Sequence, residues 1–546
     1  MESTVARIRK PIMGVLSLLL TAAASAVSPQ PVKTKPNFIV ILADDLGYGD
    51  LACYGSERIK TPNIDRMATE GIKFTDFYAS APICTPTRAS LITGRYPSRV
   101  GLGAPLHTPD TIGLHEGEIT LAELLKSQGY ATSCIGKWHL GHQPEFYPTR
   151  HGFDHFYGTP LGHCFRTETM RKKGKFSDLF LRNEEVVPFP PIEDLTEVLT
   201  AEAVEWISAN KDNPFFLFLS YPMPHGPVAA SKRFKGKSAG GLYGDAVETI
   251  DWSTGEILKT IDDLGLGQDT VVIFTSDNGA DTNAWGTEAR WFGSNAPFRG
   301  KKQQGWEGGL RVPCVMWRPG QIPAGSVCFE LATVMDFLPT FGAMAGAELP
   351  KGRVIDGKDI TSLMLGEKDA KTPYDAFVYH VRFGKRSGVR MGDWKLIVDV
   401  DAKTWKHKGT ALYNLKKDAG ETRNCAAEHP KIVAKLRDRL DAFERDLQGS
   451  KGSAKSNPEK PNVIVFFADD LGYGDLSCYS AKGHSTPHLD AMAREGMFLW
   501  NAIRWLSPVP TSTCKCSKLC TKRRWPARFA VSAPATWRAF SDRESG

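Results

Sequence analysis

The sequence predicts an α/β protein: a large, mixed but mainly parallel sheet covered by helices on both faces, then a small antiparallel sheet and a closing helix. Three observations predict it. Continuous apolar runs of strand length occur at 38–43, 131–135, 215–220 and 271–276. Helix-patterned segments such as 120–128 and 196–210 lie between them. After about residue 374 the texture changes to short strand-like runs. Strands that are apolar on every residue need cover on both faces, and crossover helices supply it.

In chain order, Arg7, Arg9 and Lys10 form a positive start, 12–24 is a short apolar stretch, and Ala24-Ser25-Ala26 fits a small-residue cleavage site. Residues 1–26 are therefore expected to be a signal peptide. The apolar stretch is too short for a stable membrane span. The protein is expected to be exported, either periplasmic or secreted. Residues 37–373 form the expected catalytic domain and 374–448 a small C-terminal subdomain. The latter carries strands at 377–379, 387–391 and 394–398, and an amphipathic helix over 430–447. That helix aligns Ile432, Leu436, Leu440, Phe443 and Leu447 on one side. Residues 449–461, rich in Gly, Ser, Lys and Pro with no apolar anchor, are expected to be a linker.

A self-comparison shows a second start. KPNFIVILADDLGYGDLACYG at 35–55 returns as KPNVIVFFADDLGYGDLSCYS at 460–480, and the match continues ungapped from Thr61 against Thr486. The second copy fails soon after. Positions equivalent to Cys84 and Arg88 hold Val509 and Thr513. Residues 462–503 are expected to be a truncated second N-terminus, too short to bury a matching core, and 504–546 a tail without periodicity.

The net charge of +7 is concentrated at the ends. Residues 505–546 hold eight Lys/Arg against two acids, and 1–27 hold three against one, so the body is near neutral. This basicity is no argument for nucleic acid. Of eleven cysteines, seven precede the linker: Cys53, Cys84, Cys134, Cys164, Cys314, Cys328 and Cys425. With Cys84 set aside, six remain, an even number for a disulfide-permissive compartment, with no zinc spacing and no assignable pairing.

The first apolar run ends in Asp44-Asp45, and the run at 271–276 ends in Asp277-Asn278. In a parallel sheet both ends open on one edge. Three carboxylates and an amide oxygen gathered there suit one hard divalent cation, calcium before magnesium, and the absence of His from the set argues against zinc. Ordinary Asp/Asn turn chemistry is the alternative.

The stretch 84–95, CTPTRASLITGR, resembles the signature of type I, formylglycine-dependent sulfatases: C-x-P-x-R, a short helix, then T-G-R. The pattern is of the arylsulfatase A and N-acetylgalactosamine-6-sulfatase kind and covers roughly 36–448. The resemblance implies an alkaline-phosphatase-like sandwich and a Cys84 oxidised to formylglycine by a maturation enzyme. One hydroxyl of the hydrated aldehyde attacks sulfur, and the other expels sulfate as the aldehyde re-forms. Cys84 is expected at a helix N-terminus, where backbone N–H groups favour anions. Arg88, one turn on, is expected to stabilise the nucleophile and the sulfate.

Further motifs resemble the family's. In Gly136-Lys137-Trp138-His139, the resemblance implies that Lys137 binds sulfate and His139 assists collapse of the sulfated diol. His225, in Pro224-His225-Gly226-Pro227, resembles the acid that protonates the leaving oxygen. Lys302, five residues before Glu307, takes the second sulfate-binding lysine position. The implied metal set is Asp44, Asp45, Cys84, Asp277 and Asn278. Many members place a serine after the stretch matching Gly158-Thr159-Pro160; here the position holds Gly162 followed by His163. The serine role is not carried over, and His163 is instead a candidate substrate contact. His142, His151 and His155 are expected to be structural.

The implied activity is sulfate-ester hydrolysis on sulfated sugars or polysaccharides, or on aryl sulfates. One rival is a phosphate or phosphonate ester hydrolase of the same superfamily. The other is a non-catalytic binder of sulfated glycans, should Cys84 stay a thiol.

Overall fold

The computed structural model describes residues 35–282, 292–381, 385–400 and 407–452. The expected signal peptide, most of the linker, the second copy and the tail lie outside the described residues. The chain divides into two compact units, Met1–Gln448 and Gly449–Gly546, and the described fold belongs almost wholly to the first.

Sixteen strands are present among the described residues. Ten form one sheet: β1 (Asn37–Ala43), β2 (Ile72–Phe74), β4 (Ala131–Lys137), β5 (His155–Thr159), β6 (Leu181–Arg182), β7 (Glu185–Val186), β8 (Phe215–Ser220), β9 (Thr270–Ser276), β10 (Cys314–Trp317) and β11 (Ser326–Cys328). Their order is β11-β2-β10-β9-β1-β8-β4-β5-β6-β7. The centre, β9-β1-β8-β4-β5, is parallel throughout, whereas β10, β6 and β7 run antiparallel to their neighbours. β3 (Phe77–Tyr78) and β12 (Ala332–Thr333) pair separately.

The residue pattern explains the layering. β1 is buried at every position, with Phe38, Val40 and Leu42 in one apolar layer and Ile39, Ile41 and Ala43 in the other. The helices Cys84–Thr93, Leu121–Lys126 and Phe337–Ala345 cover the first face. The helices Leu195–Ala209 and Gly241–Asp263 cover the second through Leu199, Ala203, Ile250 and Ile257. This two-faced cover lets continuous apolar strands exist without exposed surface.

The C-terminal sheet has four strands, not the three expected: β13 (Phe377–Val381), β14 (Lys385–Met391), β15 (Trp394–Val400) and β16 (His407–Asn414). β16 begins HKGT, which offers no apolar alternation, and its pairing with β15 is a tertiary effect. The last helix runs Pro430–Gly452, past the expected end and into the segment expected to be linker. Leu436 and Leu440 on it pack against Phe377, Val389, Leu396 and Leu412, as the amphipathic pattern requires. None of the seven described cysteines is disulfide-bonded, and all but Cys53 are buried.

A buried polar network joins the C-terminal sheet to the large domain. Lys395 on β15 donates to Glu307 Oε1 (2.8 Å) and pairs with Glu421 Oε1 (2.8 Å). Tyr78 and Tyr379 also donate to Glu307, at 2.5 and 2.9 Å. Each charge has a partner, which is the condition for burying it.

Candidate active site

The parallel centre of the sheet gathers the candidate residues. Ala43 of β1 is level with Ser276 of β9, Leu42 with Ser220 of β8, and Ser220 with Gly136 of β4. Asp44 and Asp45, Asp277 and Asn278, Lys137, and the loop carrying His225 therefore leave the sheet at one carboxyl edge. Cys84 opens the helix Cys84–Thr93 directly over that edge, with Ile83 as an extended N-cap.

Three buried carboxylates face three buried cations. Arg88 donates from Nε to Asp277 Oδ2 (2.9 Å) and from Nη1 to Ser220 Oγ (2.6 Å) and the Lys137 carbonyl (2.8 Å). Its Nη2 lies 3.6 Å from Asp44 Oδ2. Lys137 Nζ donates to Asp44 Oδ2, and Lys302 Nζ to Asp45 Oδ2 (2.6 Å). Asn278 Nδ2 donates to Asp45 Oδ1 (2.7 Å), and Asp277 Oδ1 accepts the Asp45 N–H (3.2 Å). The neighbouring Lys301 instead points to Asp281 (3.6 Å).

Charge and burial compete here. Burial pushes the Asp44 carboxyl up, but Lys137, His225, Arg88 and Lys302 outweigh it and hold Asp44 well below the carboxylate range. Asp277 is pushed up to about 7 by burial and then by Asp44, with Arg88 opposing. Burial raises Asp45 and the Cys84 thiol as well, each against lysine neighbours. A buried, largely protonated thiol is a poor nucleophile in its own right.

Two oxygens of the carboxylate–amide set, Asp44 Oδ1 and Asn278 Oδ1, are buried with no hydrogen-bond partner. Unsatisfied buried oxygen is costly, and a cation bound by oxygen donors would satisfy both. The residues thus fit a hard divalent ion. One ligand atom each from Asp44, Asp45 and His225 lies within 4.8 Å of the others, so a histidine stands closer to the set than the sequence reading allowed. His225 Nε2 is 3.7 Å from Asp45 Oδ2, and burial, then Lys302, holds its imidazole well below the ordinary value.

A cavity of about 240 Å³ lies over this cluster, lined by Cys84, His139, His225, Lys302 and Asp45, with Leu106, Phe165 and Met170 as an apolar wall. His139 holds a left-handed backbone (φ 61°), and its Nε2 faces the Leu106 carbonyl at 3.0 Å. His163 does not line the cavity. Its Nε2 lies 3.1 Å from the carbonyls of both His225 and Pro227, so it stands behind the His225 turn. Gly162 puts its chain against Lys137, where a Cβ would meet Lys137 Cε at 3.3 Å. Of the three histidines expected to be structural, His155 pairs with Glu202 (3.1 Å), His142 faces the Thr108 carbonyl (3.0 Å), and His151 stacks on Trp138.

The sequence reading missed Ser220, which bridges Arg88 and the Lys137 carbonyl. A polar residue closing an otherwise apolar strand was the available signal. It also did not single out the wall side chains, of which Phe165 and Met170 lie on the short helices His163–Arg166 and Glu168–Lys172, too brief to show periodicity.

The model of the sulfatase family matches residues 36–347. The chain belongs to the sulfatase family. A second model, N-sulphoglucosamine sulphohydrolase, C-terminal, matches residues 300–446. Rat (Rattus norvegicus) N-acetylgalactosamine-6-sulfatase is 37% identical over 453 residues, covering 79% of this chain and 83% of that protein. Mouse (Mus musculus) steryl-sulfatase is 33% identical over 557 residues, covering 83% and 88%. Among solved structures, a sulfatase from Pseudoalteromonas sp. superposes with a TM-score of 0.69 at 29% identity, covering 76% of this chain and 91% of that one. This sulfatase has the alkaline-phosphatase-like α/β architecture, and its enzyme class is sulfuric ester hydrolase.

Proposed function

We propose that this sulfatase is an exported enzyme that hydrolyses sulfate esters of sugars, with a formylglycine made from Cys84 by a maturation enzyme and one bound calcium ion. The observation that carries the reading is the position of Cys84: the first residue of a buried helix, at the floor of a cavity shared with Lys302, His139 and His225. A side chain there meets the positive end of the helix and the cations beneath it. The sugar substrate is supported by N-acetylgalactosamine-6-sulfatase among the relatives and by the polar cluster at the cavity floor. Steryl-sulfatase among the relatives makes the alcohol half the point to test.

Asp44, Asp45, Asp277, Asn278 and the modified Cys84 would hold the calcium ion. The ion would supply positive charge beside the nucleophile and the sulfuryl oxygens. The aldehyde hydrate of formylglycine supplies two hydroxyls, one to attack and one to release, which a thiol cannot. Arg88 holds Asp277 and the carboxyl end of β4 in place and sets the local field. Lys137 and Lys302 bind the sulfuryl oxygens. His225 protonates the leaving oxygen. Burial keeps its imidazole neutral in the protein alone, and an anionic ester beside it favours the protonated form. His139, held neutral by burial and then by Lys137, accepts the proton when the sulfated diol collapses. His163 fixes the His225 turn through its carbonyl.

The test is mass spectrometry of the peptide containing Cys84, from protein produced with a formylglycine-generating enzyme, together with sulfate release from a hexose sulfate. The expected peptide has lost the mass difference between CH2SH and CHO. A Cys84 that remains a thiol beside a competent maturation enzyme would refute the reading.

A further inference from the structure

Six non-glycine residues hold a left-handed backbone among the described residues, and three of them, Asp45, His139 and Gln303, border one cavity. Such a backbone is strained for a residue with a Cβ. It persists where the surroundings over-determine it, and it concentrates at functional sites. Asp45 and His139 have roles in the reading above. Gln303 has none.

The surroundings of Gln303 explain how its conformation (φ 69°) is held. Its N–H donates to the Pro82 carbonyl (2.7 Å), two residues before Cys84, and the Lys302 N–H donates to the Ala280 carbonyl (3.1 Å). These two bonds span the start of the Cys84 helix and the segment after β9. The turn sends Lys302 down to Asp45 and leaves Gln303 exposed on the cavity wall. The Gln303 carboxamide has no hydrogen-bond partner among the described residues. Glycine and asparagine take such a turn with the least strain, so the turn by itself gives glutamine no advantage. Glutamine adds an acceptor and two donors at the end of a longer arm.

We infer that Gln303 is a specificity-determining residue whose carboxamide hydrogen-bonds a hydroxyl or amide substituent on the alcohol half of the ester. Phe165 and Met170 on the apolar wall take the C–H face of the same ring. The cavity therefore favours a polyhydroxylated ring over a bare aryl or steroid alcohol. A site that bonds a substrate hydroxyl rejects the analogue lacking it far more strongly than an apolar pocket rejects a change in size. This inference rests on the sulfate-ester hydrolase reading above.

The experiment compares kcat/KM for a hexose sulfate and a nitrophenyl sulfate in matured, full-chain wild type, Gln303→Gly and Gln303→Asn. Glycine keeps the left-handed turn and removes only the side chain. Gln303→Gly is expected to lose about tenfold more kcat/KM on the hexose sulfate than on the nitrophenyl sulfate, chiefly through KM, or about 1.4 kcal/mol. Gln303→Asn, which keeps a carboxamide, is expected to recover part of that difference. Equal loss on both substrates, or loss on neither, makes Gln303 a turn residue only and overturns the inference. Wild type that carries converted Cys84 yet releases sulfate from neither substrate overturns the hydrolase reading instead.

Discussion

Arg88 shows how one residue can be read correctly for its chemistry and incompletely for its setting. Its position four residues after Cys84 places it one helical turn away, close to the nucleophile. Its partners, Asp277, Ser220 and the Lys137 carbonyl, come from the carboxyl ends of three different strands and follow only from sheet order. The guanidinium is fully buried with Asp44 and Asp277 beside it. Arg88→Ala would leave Asp277 without its paired cation, while Asp44 keeps Lys137, and breaking a buried pair from one side costs about 3–5 kcal/mol. Urea denaturation should show that loss, and turnover should fall below detection. Arg88→Lys cannot reproduce three directed N–H bonds, so it should fold but lose at least about tenfold in kcat. An Arg88→Ala protein of wild-type stability would mean that Asp277 is neutral in the folded state. His163 is the opposite case. Its neighbourhood was legible, but whether its ring reached the cavity depended on the path of the chain after Gly162.

At the scale of elements, the short apolar strands were legible because each is buried on both faces, so their boundaries moved by no more than two residues. β16 and the two-residue strands were not, since their pairing partners rather than their own composition make them strands. The link from β15 to Glu307 is likewise tertiary. Burial pushes Glu307 up, but Lys395, Arg311 and Arg390 outweigh it and hold the carboxyl down to about 2. Glu421, which shares Lys395, is pushed up by burial and by Glu307. Because the folded pKa of Glu307 lies below its ordinary 4.5, its contribution to stability is present above about pH 4.5 and lost as pH falls through about 2. Glu307→Gln should therefore melt well below wild type at pH 7, and the gap should narrow as the buffer is acidified. Thermal melts across that range measure it, and a gap that stays constant with pH would show that Glu307 acts by packing alone. Since Lys302 lies five residues before Glu307, on the turn that leads into its helix, the variant should also lose sulfate release.

At the scale of the whole molecule, the site forms where five parallel strands end together, and the carboxylate set at that edge has oxygens left to satisfy. Chelation should lower both the melting temperature and sulfate release, and calcium should restore them better than magnesium, since binding to the folded state alone stabilises it. Restoration by zinc in place of calcium would point to His225 joining the ligand set. The repeated start at 460–480 raises a separate question, because it reproduces the β1 sequence and its paired aspartates without any counterpart of Cys84. A β1-like strand is stable only with neighbours on both sides and helices on both faces, and 462–503 contains too little chain to supply them. The unit ending at Gln448 already holds the edge residues named above: Asp44-Asp45, Asp277-Asn278, the Cys84 helix, both lysines and both cavity histidines. Removal of 450–546 should therefore leave the melting temperature and kcat/KM of the matured enzyme within error of the full chain. A truncated protein that misfolds, or that loses turnover while remaining folded, would mean that the second start contributes to the working enzyme.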